Sequence, residues 1–155
     1  MYPTILAIHS LVRWFVLISL IYSIYIAYTG WLQNKTFTKR DNSIRHWTAT
    51  IAHVQLIFGI WLYFVSPLVD YFLHNFHEAV HQREIRFFGM EHNILMLTAI
   101  VLITIGSASA KRKQMDQQKF KTMAIWFSLA LLIILISIPW SFSFVSPNRP
   151  YFRGF

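Results

Sequence analysis

The sequence contains no cysteine, and charged residues make up only 13% of its 155 residues. An ordinary soluble domain carries about 25% charged residues. Without cysteine the chain forms no disulfide, iron–sulfur cluster, thiolate-bound zinc site or covalently attached c-type haem. The low charge argues against a soluble globular protein, and the 17% aromatic content argues against a disordered chain.

Hydrophobic residues form 55% of the chain and are concentrated in four long runs that carry almost no charge. A helix needs about 20 apolar residues to cross the hydrocarbon core of a bilayer. The runs are continuous and lack the alternating pattern of membrane strands. We therefore predict an all-α membrane protein, a single domain of four transmembrane helices in an antiparallel bundle. The helices are expected at about 4–31, 47–67, 88–109 and 120–139.

Lysine and arginine are unevenly distributed between the connections, which predicts the orientation in the membrane. The first and third connections hold nine of them: Lys35, Lys39, Arg40, Arg45, Lys111, Arg112, Lys113, Lys119 and Lys121. The opposite side holds four: Arg83, Arg86, Arg149 and Arg153. Because basic loops stay in the cytoplasm, we expect a protein of the cytoplasmic (inner) membrane with both termini outside. The net charge of +8 then reflects topology, and no nucleic-acid partner is expected.

The second connection and the C-terminal tail are expected at the outer surface of the membrane. Residues 68–84 carry polar and apolar stripes at helical spacing, which predicts an amphipathic interfacial helix. Its histidines His74, His77 and His81 are close enough in sequence to hold zinc or copper, although a solvated polar face more often explains such a pattern. The aromatic tail, 140–155, is expected at the level of the lipid headgroups.

Ionisable residues inside the predicted helices are costly in lipid and are therefore candidates for function. At about 1.5 Å per residue, His9 lies about 8 Å below the outer end of the first helix. His92 lies about 6–8 Å below the outer end of the third helix by the same measure. Two histidines at matched depth on separate helices suit the axial ligation of haem b. We therefore predict one haem b between them; the alternative is that each only hydrogen-bonds to a neighbouring helix.

Three further ionisable residues are candidates for cofactor binding. Arg13 lies one turn below His9 and needs an anionic partner, which Glu91 or a haem propionate could supply. Glu91 could also move the proton that accompanies quinol oxidation. His53 lies at a different depth from the histidine pair. Its options are a structural contact, a hydrogen bond to quinone, or ligation of a second haem.

Several short sequence segments resemble those of a known group of proteins. They are HSLVRW at 9–14, RHWT at 45–48, HVQL at 53–56, FFGMEH at 87–92 and NRPYFR at 148–153. Over essentially its full length the chain resembles small four-helix membrane proteins of Bacteroidota-type bacteria that are labelled "cytochrome B". The resemblance implies haem b and respiratory electron transfer. The chain differs from larger di-haem b cytochromes, because it lacks two stacked histidine pairs across one pair of helices.

These observations predict a membrane-bound b-type cytochrome. Its haem, near the outer leaflet, would carry single electrons between quinol and a respiratory partner. An electron-transfer protein is favoured over a stand-alone enzyme. The alternatives are a cofactor-free structural subunit of a larger membrane complex, and a metal-handling or transport protein that uses His53, His92 and the outer histidines.

Overall fold

The fold is all-helical over residues 1–140, which are the residues that the computed structural model describes. The long helices are α1 (Tyr2–Leu32), α2 (Lys39–Val65), α6 (His92–Arg112) and α7 (Asp116–Ser137). Between α2 and α6 lie the short helices α3 (Pro67–His74), α4 (Phe76–Ala79) and α5 (Arg83–Arg86), and a π-helical turn (Phe87–Glu91) that continues into α6. Four segments are long and apolar enough to cross a membrane, with α5 to α6 counted as one. The predicted all-helical membrane fold is therefore confirmed. The aromatic tail predicted from residue 140 onward lies outside the described residues, apart from Trp140.

The first turn of α2 begins at Lys39, well before the start predicted at residue 47. Thr38 and Asp41 form a capping box around this turn. The Thr38 hydroxyl accepts from the Asp41 N–H at 3.3 Å, and the Asp41 carboxylate accepts from the Thr38 N–H at 2.8 Å. The two bonds satisfy donors that a helix start otherwise leaves open. The hydrophilic residues between 39 and 46 are therefore helical although they are too polar to lie in lipid.

Prolines end two of the long helices. The residues that precede Pro67 and Pro139 have extended backbone, with ψ of 123° at Ser66 and 127° at Ile138. The proline ring disfavours helical backbone in the residue before it. As a result α2 stops at Val65 and α7 at Ser137. Pro67 then opens α3, where the missing N–H of a proline does no harm.

The predicted interfacial helix over 68–84 is three short helices instead of one continuous helix. The first break falls at Asn75, whose side-chain amide donates back to the Tyr71 carbonyl at 3.2 Å. Such local bonds compete with helix propagation. The first of these helices nevertheless has a buried apolar face and an exposed polar face, because Val69 and Phe72 are buried whereas Asp70 is exposed.

The four long helices pack in the ring order α1, α2, α6, α7. The α6–α7 interface is the most extensive, and the α2–α6 interface is the sparsest of the four. The helices that carry His9 and His92 are therefore diagonal to each other in the bundle. The largest fully buried side chains among the described residues belong to α1, α6 and α7 and include Leu20, Ile103, Phe120, Met123 and Phe127. Close packing on one side of the bundle leaves room on the other, beside α2.

Gly106 sets the close approach of α6 to α7, and Gly106→Val is expected to weaken it. A Cβ atom at this position would overlap the Cβ of Trp126 on α7. We expect a loss of about 1–3 kcal/mol in the free energy of unfolding, which is typical of overpacking. Unfolding of the detergent-solubilised protein by SDS measures the loss. The control is Ile105→Val at the neighbouring exposed position, which should change stability by less than about 0.5 kcal/mol. Equal stability of the two variants would contradict the prediction.

Candidate functional site

A cavity of about 570 Å³ lies between α1, α2, α3, the π-turn and α6. This volume falls within the range of about 300–1,000 Å³ that is usual for small-molecule and cofactor sites. Most of the lining is apolar. The charged, imidazole and amide side chains come from three helices: His9 and Arg13 from α1, Gln55 from α2, and His92 and Asn93 from α6. The structure thus brings His9 and His92 to one cavity from diagonal helices.

The His9 imidazole is held through one nitrogen by Gln55. The Gln55 amide nitrogen lies 3.0 Å from the His9 carbonyl oxygen and 3.2 Å from His9 Nε2. Since the amide donates to both, Nε2 accepts and the His9 proton is assigned to Nδ1. That Nδ1 is buried and has no hydrogen-bond partner among the described residues. A buried donor without an acceptor costs about 1–3 kcal/mol, so this atom is a candidate contact for a ligand.

Gly59 of α2 makes room for the His9 ring. A Cβ atom at Gly59 would lie 3.4 Å from His9 Cε1, which is tighter than most contacts of a side chain. A larger residue at this position would press on the imidazole. The sequence alone did not single out Gly59, although a glycine in the middle of an apolar helix commonly marks a close approach of this kind.

His92 is oriented by the end of α7. Its Nδ1 lies 2.9 Å from the carbonyl oxygen of Ser137, which can only accept, so the His92 proton is assigned to Nδ1 and the lone pair to Nε2. Metal-bound histidines are commonly held this way, by a bond from the other ring nitrogen to a backbone carbonyl. The rings of Phe87 and Phe88 flank the imidazole, with centroids at 5.7 and 6.0 Å.

The π-turn places His92 and Asn93 at the cavity wall. Its wider turn changes the phase of the helix and leaves the Phe88 carbonyl to accept from the Asn93 side-chain amide at 2.8 Å. Gly89 in this turn lies against Phe72 of α3, and a Cβ atom there would overlap the phenyl ring. Single π-turns are frequent at functional sites. The hydropathy of the sequence carries no signal for this turn, which is why the prediction missed it.

Glu91 pairs with Arg86. Its Oε1 lies 2.6 Å from Arg86 Nε, and Arg86 also donates to the Val80 carbonyl at 3.0 Å. The predicted ion pair between Arg13 and Glu91 is therefore wrong, because Glu91 belongs to the π-turn and faces α5. Glu91 does not line the cavity described above, whereas Arg13 does, with its guanidinium 5.4 Å from the centre of the Trp14 ring.

His53 lies outside the cavity, on the exposed side of α2 and α6. Its Nε2 is 2.9 Å from the hydroxyl of Thr104. That hydroxyl already donates to the Ile100 carbonyl at 2.7 Å, so His53 is the donor. This is the structural contact between helices that the sequence analysis considered for His53.

The outer histidines are spread over separate elements. His74 on α3 pairs with Asp70, at 3.3 Å between Nδ1 and Oδ1. The rings of His77 and His81 lie 6.1 Å apart. Within residues 1–140 there is no group of three or more histidine, aspartate or glutamate side chains placed to hold a metal ion. The break at Asn75 accounts for this, because it separates His74 from the other two.

The fold and the site define a multi-pass membrane protein with a mostly apolar internal cavity and two histidines in its wall. No protein-family model, curated protein or solved structure matches the chain. Its function is therefore argued from the residues of the cavity.

Proposed function

We propose that the protein is a b-type cytochrome of the bacterial inner membrane, with one haem b held between His9 and His92. It would pass single electrons between membrane quinol and a respiratory partner. The observation that carries the proposal is the pair of histidines on diagonal helices that line one cavity. Each ring is oriented through a nitrogen by a protein group, His9 by Gln55 and His92 by the Ser137 carbonyl.

The chemistry of the cavity fits this cofactor. Haem b, when bound, supplies reversible one-electron transfer at its iron. His9 and His92 would hold its iron. The lone pair of His9 is at Nε2, where the Gln55 amide donates, and the buried Nδ1 has no hydrogen-bond partner among the described residues. Apolar residues such as Leu56 and Met96 would pack against the macrocycle, and Arg13 offers a cation for a propionate.

The contacts support an antiparallel bundle with both termini outside. His9, near the start of α1, contacts Gln55 in the second half of α2. His92, at the start of α6, contacts Ser137 at the end of α7. The two histidines therefore lie at the end of the bundle that is opposite the basic connections, which is the outer end by the distribution of positive charge. The short helices α3 to α5 belong to the same end and would lie at the outer interface.

A lipid-soluble quinone is the second candidate ligand for this cavity. Four of the lining residues are large, apolar and exposed: Ile60 and Phe64 on α2, and Ile94 and Leu97 on α6. The cavity therefore opens sideways between the two helices whose interface is sparsest. A ligand dissolved in the bilayer could enter there, and the Nδ1–H of His9 would donate to a quinone carbonyl.

Absorption spectra of the purified full-length protein test the proposal. The protein is produced in bacterial membranes with a supply of haem precursor and extracted in mild detergent. We expect about one haem b per chain and, on reduction, the sharp α band of a low-spin haem. A colourless preparation that also fails to bind added haem overturns the cytochrome. Recovery of quinone in an organic extract of that preparation would favour the second candidate.

A further inference from the structure

A second cavity, of about 210 Å³, lies at the opposite end of the bundle from His9 and His92. We name it the basic cavity. It is formed by the connection between α1 and α2, the start of α2, the end of α6 and the start of α7. Its lining residues are Phe37, Thr38, Lys39, Asn42, Lys111 and Lys119. Three lysines thus line a small space, and no Asp or Glu among residues 1–140 belongs to its wall.

The basic cavity offers donors that no other group uses. Lys39 and Lys111 have no ion pair or hydrogen bond from their side chains among residues 1–140. Lys119 is only partly engaged, at 3.7 Å from Asp116 and 5.2 Å from the centre of the Phe37 ring. The amide oxygen of Asn42 accepts from Arg45 at 2.9 and 3.1 Å, so its NH₂ group is the part left to donate.

Of the three lysines, the nearby acidic groups pair only with Lys119 among residues 1–140. Asp41 is held in the capping box by Thr38, and Asp116 is shared with Lys119. The cavity therefore has a net positive charge and an excess of donors. A phosphate group, with several acceptor oxygens and a negative charge, matches this arrangement.

The position of the basic cavity points to a phosphate that is attached to a lipid. Trp47, which is exposed, lies about 12 Å further along α2 than Lys39 and is suited to the headgroup level. Deeper in the membrane α2 and α6, the two helices whose ends line the cavity, present exposed apolar side chains, among them Ile57, Val101 and Ile105. Acyl chains could lie there while the headgroup reaches the lysines.

We propose that the basic cavity binds the phosphate of an anionic phospholipid, with the acyl chains along the exposed face of α2 and α6. Basic pockets between membrane helices at the cytoplasmic surface recognise anionic headgroups in this way. The basic cavity is separate from the cavity that His9 and His92 line, so this proposal does not depend on whether haem binds.

Native mass spectrometry of the full chain in detergent tests the site, with phosphatidylglycerol as the probe. The test variant is Lys39→Gln/Lys111→Gln. Both side chains are exposed and have no hydrogen bond or ion pair among residues 1–140. The control is Lys35→Gln/Lys113→Gln, which removes the same charge from exposed residues outside the cavity. Phosphatidylcholine and inorganic phosphate are the comparison ligands.

We expect the test variant to bind phosphatidylglycerol at least about tenfold more weakly than the unmodified protein, and the control less than about threefold more weakly. Phosphatidylcholine should bind weakly to all three proteins. Equal losses in the two variants would show a general effect of charge and overturn the site. If millimolar inorganic phosphate displaces phosphatidylglycerol, the site takes free phosphate and the lipid assignment is overturned.

Discussion

His92→Ala is expected to abolish the low-spin haem spectrum and to weaken haem binding by more than about 100-fold. Loss of a group that merely orients a metal ligand costs about 10–100-fold in affinity, so loss of the ligand itself should cost more. His92 Nδ1 is bound to the Ser137 carbonyl, and alanine at this position supplies no nitrogen to the cavity. Titration of the purified variant with haem, followed by absorbance, measures the loss.

The matched control is His53→Ala, which removes an imidazole from another membrane-spanning helix at a position outside the cavity. His53 donates to Thr104 and is exposed, so the control should keep the haem spectrum. His9→Ala should behave like His92→Ala. The ligand assignment fails if both cavity variants keep an unchanged spectrum.

A methionine variant separates ligation from a structural role. His92→Met is expected to keep a low-spin haem and to raise its reduction potential, because a thioether ligand in place of an imidazole favours the reduced iron. A residue that only packs against haem would not shift the potential in this way. Circular dichroism and gel filtration of each variant establish that the bundle is folded.

Arg45→Leu is expected to lower the free energy of unfolding by about 2–4 kcal/mol, the largest effect on stability that we predict. Arg45 is 5% exposed. It donates to the carbonyl oxygen of Ser107 at 3.0 Å, to the Ser107 hydroxyl at 2.5 Å, and to Asn42. The two bonds to Ser107 join α2 to α6 across the sparsest interface of the bundle, and the bond to Asn42 lies within α2. The carbonyl also lies near the C-terminal end of α6, where a cation is favourable.

Arg40→Leu is the control for Arg45→Leu. Arg40 is exposed on the same helix and donates one bond of 3.1 Å to the Tyr22 hydroxyl, so its loss should cost less than about 1 kcal/mol. Arg45→Lys should fall between the two, because an ammonium keeps the charge but not the forked set of donors. Unfolding in mixed micelles compares the three variants. A stability of Arg45→Leu at or above that of the unmodified protein would show that the buried guanidinium does not stabilise the α2–α6 interface.

The apolar runs predicted the four long helices because lipid imposes a minimum length on any segment that crosses it. Two of the helix ends expected from these runs, 67 and 139, coincide with Pro67 and Pro139, and the effect of proline on the residue before it is local. The early start of α2 had a signal in the sequence, Thr38 followed by Asp41. The predicted start lies later, at about residue 47, because the charges before that residue exclude that part of the helix from the membrane. The apolar segment that crosses the lipid therefore begins at a later residue than the helix that contains it.

Equal depth of His9 and His92 was predicted from their distance to the helix ends, and the structure places both along one cavity. Depth in the membrane alone did not predict which residue Glu91 would pair with. Glu91 pairs with Arg86 because a π-turn changes the helical phase just before His92. Hydropathy has no term for such a turn, so the sequence carried no sign that Glu91 pairs with Arg86.

The sequence by itself determined that this protein is helical, that it has four segments able to cross a membrane, and which ionisable residues those segments contain. These properties depend on hydrophobic length and local backbone chemistry. Only the tertiary structure decided that α1 and α6 are diagonal, that Gly106 brings α6 close to α7, and that space remains beside α2. Those features depend on how side chains of different helices fit together, which is a property of pairs of surfaces and is not encoded in any one run of residues.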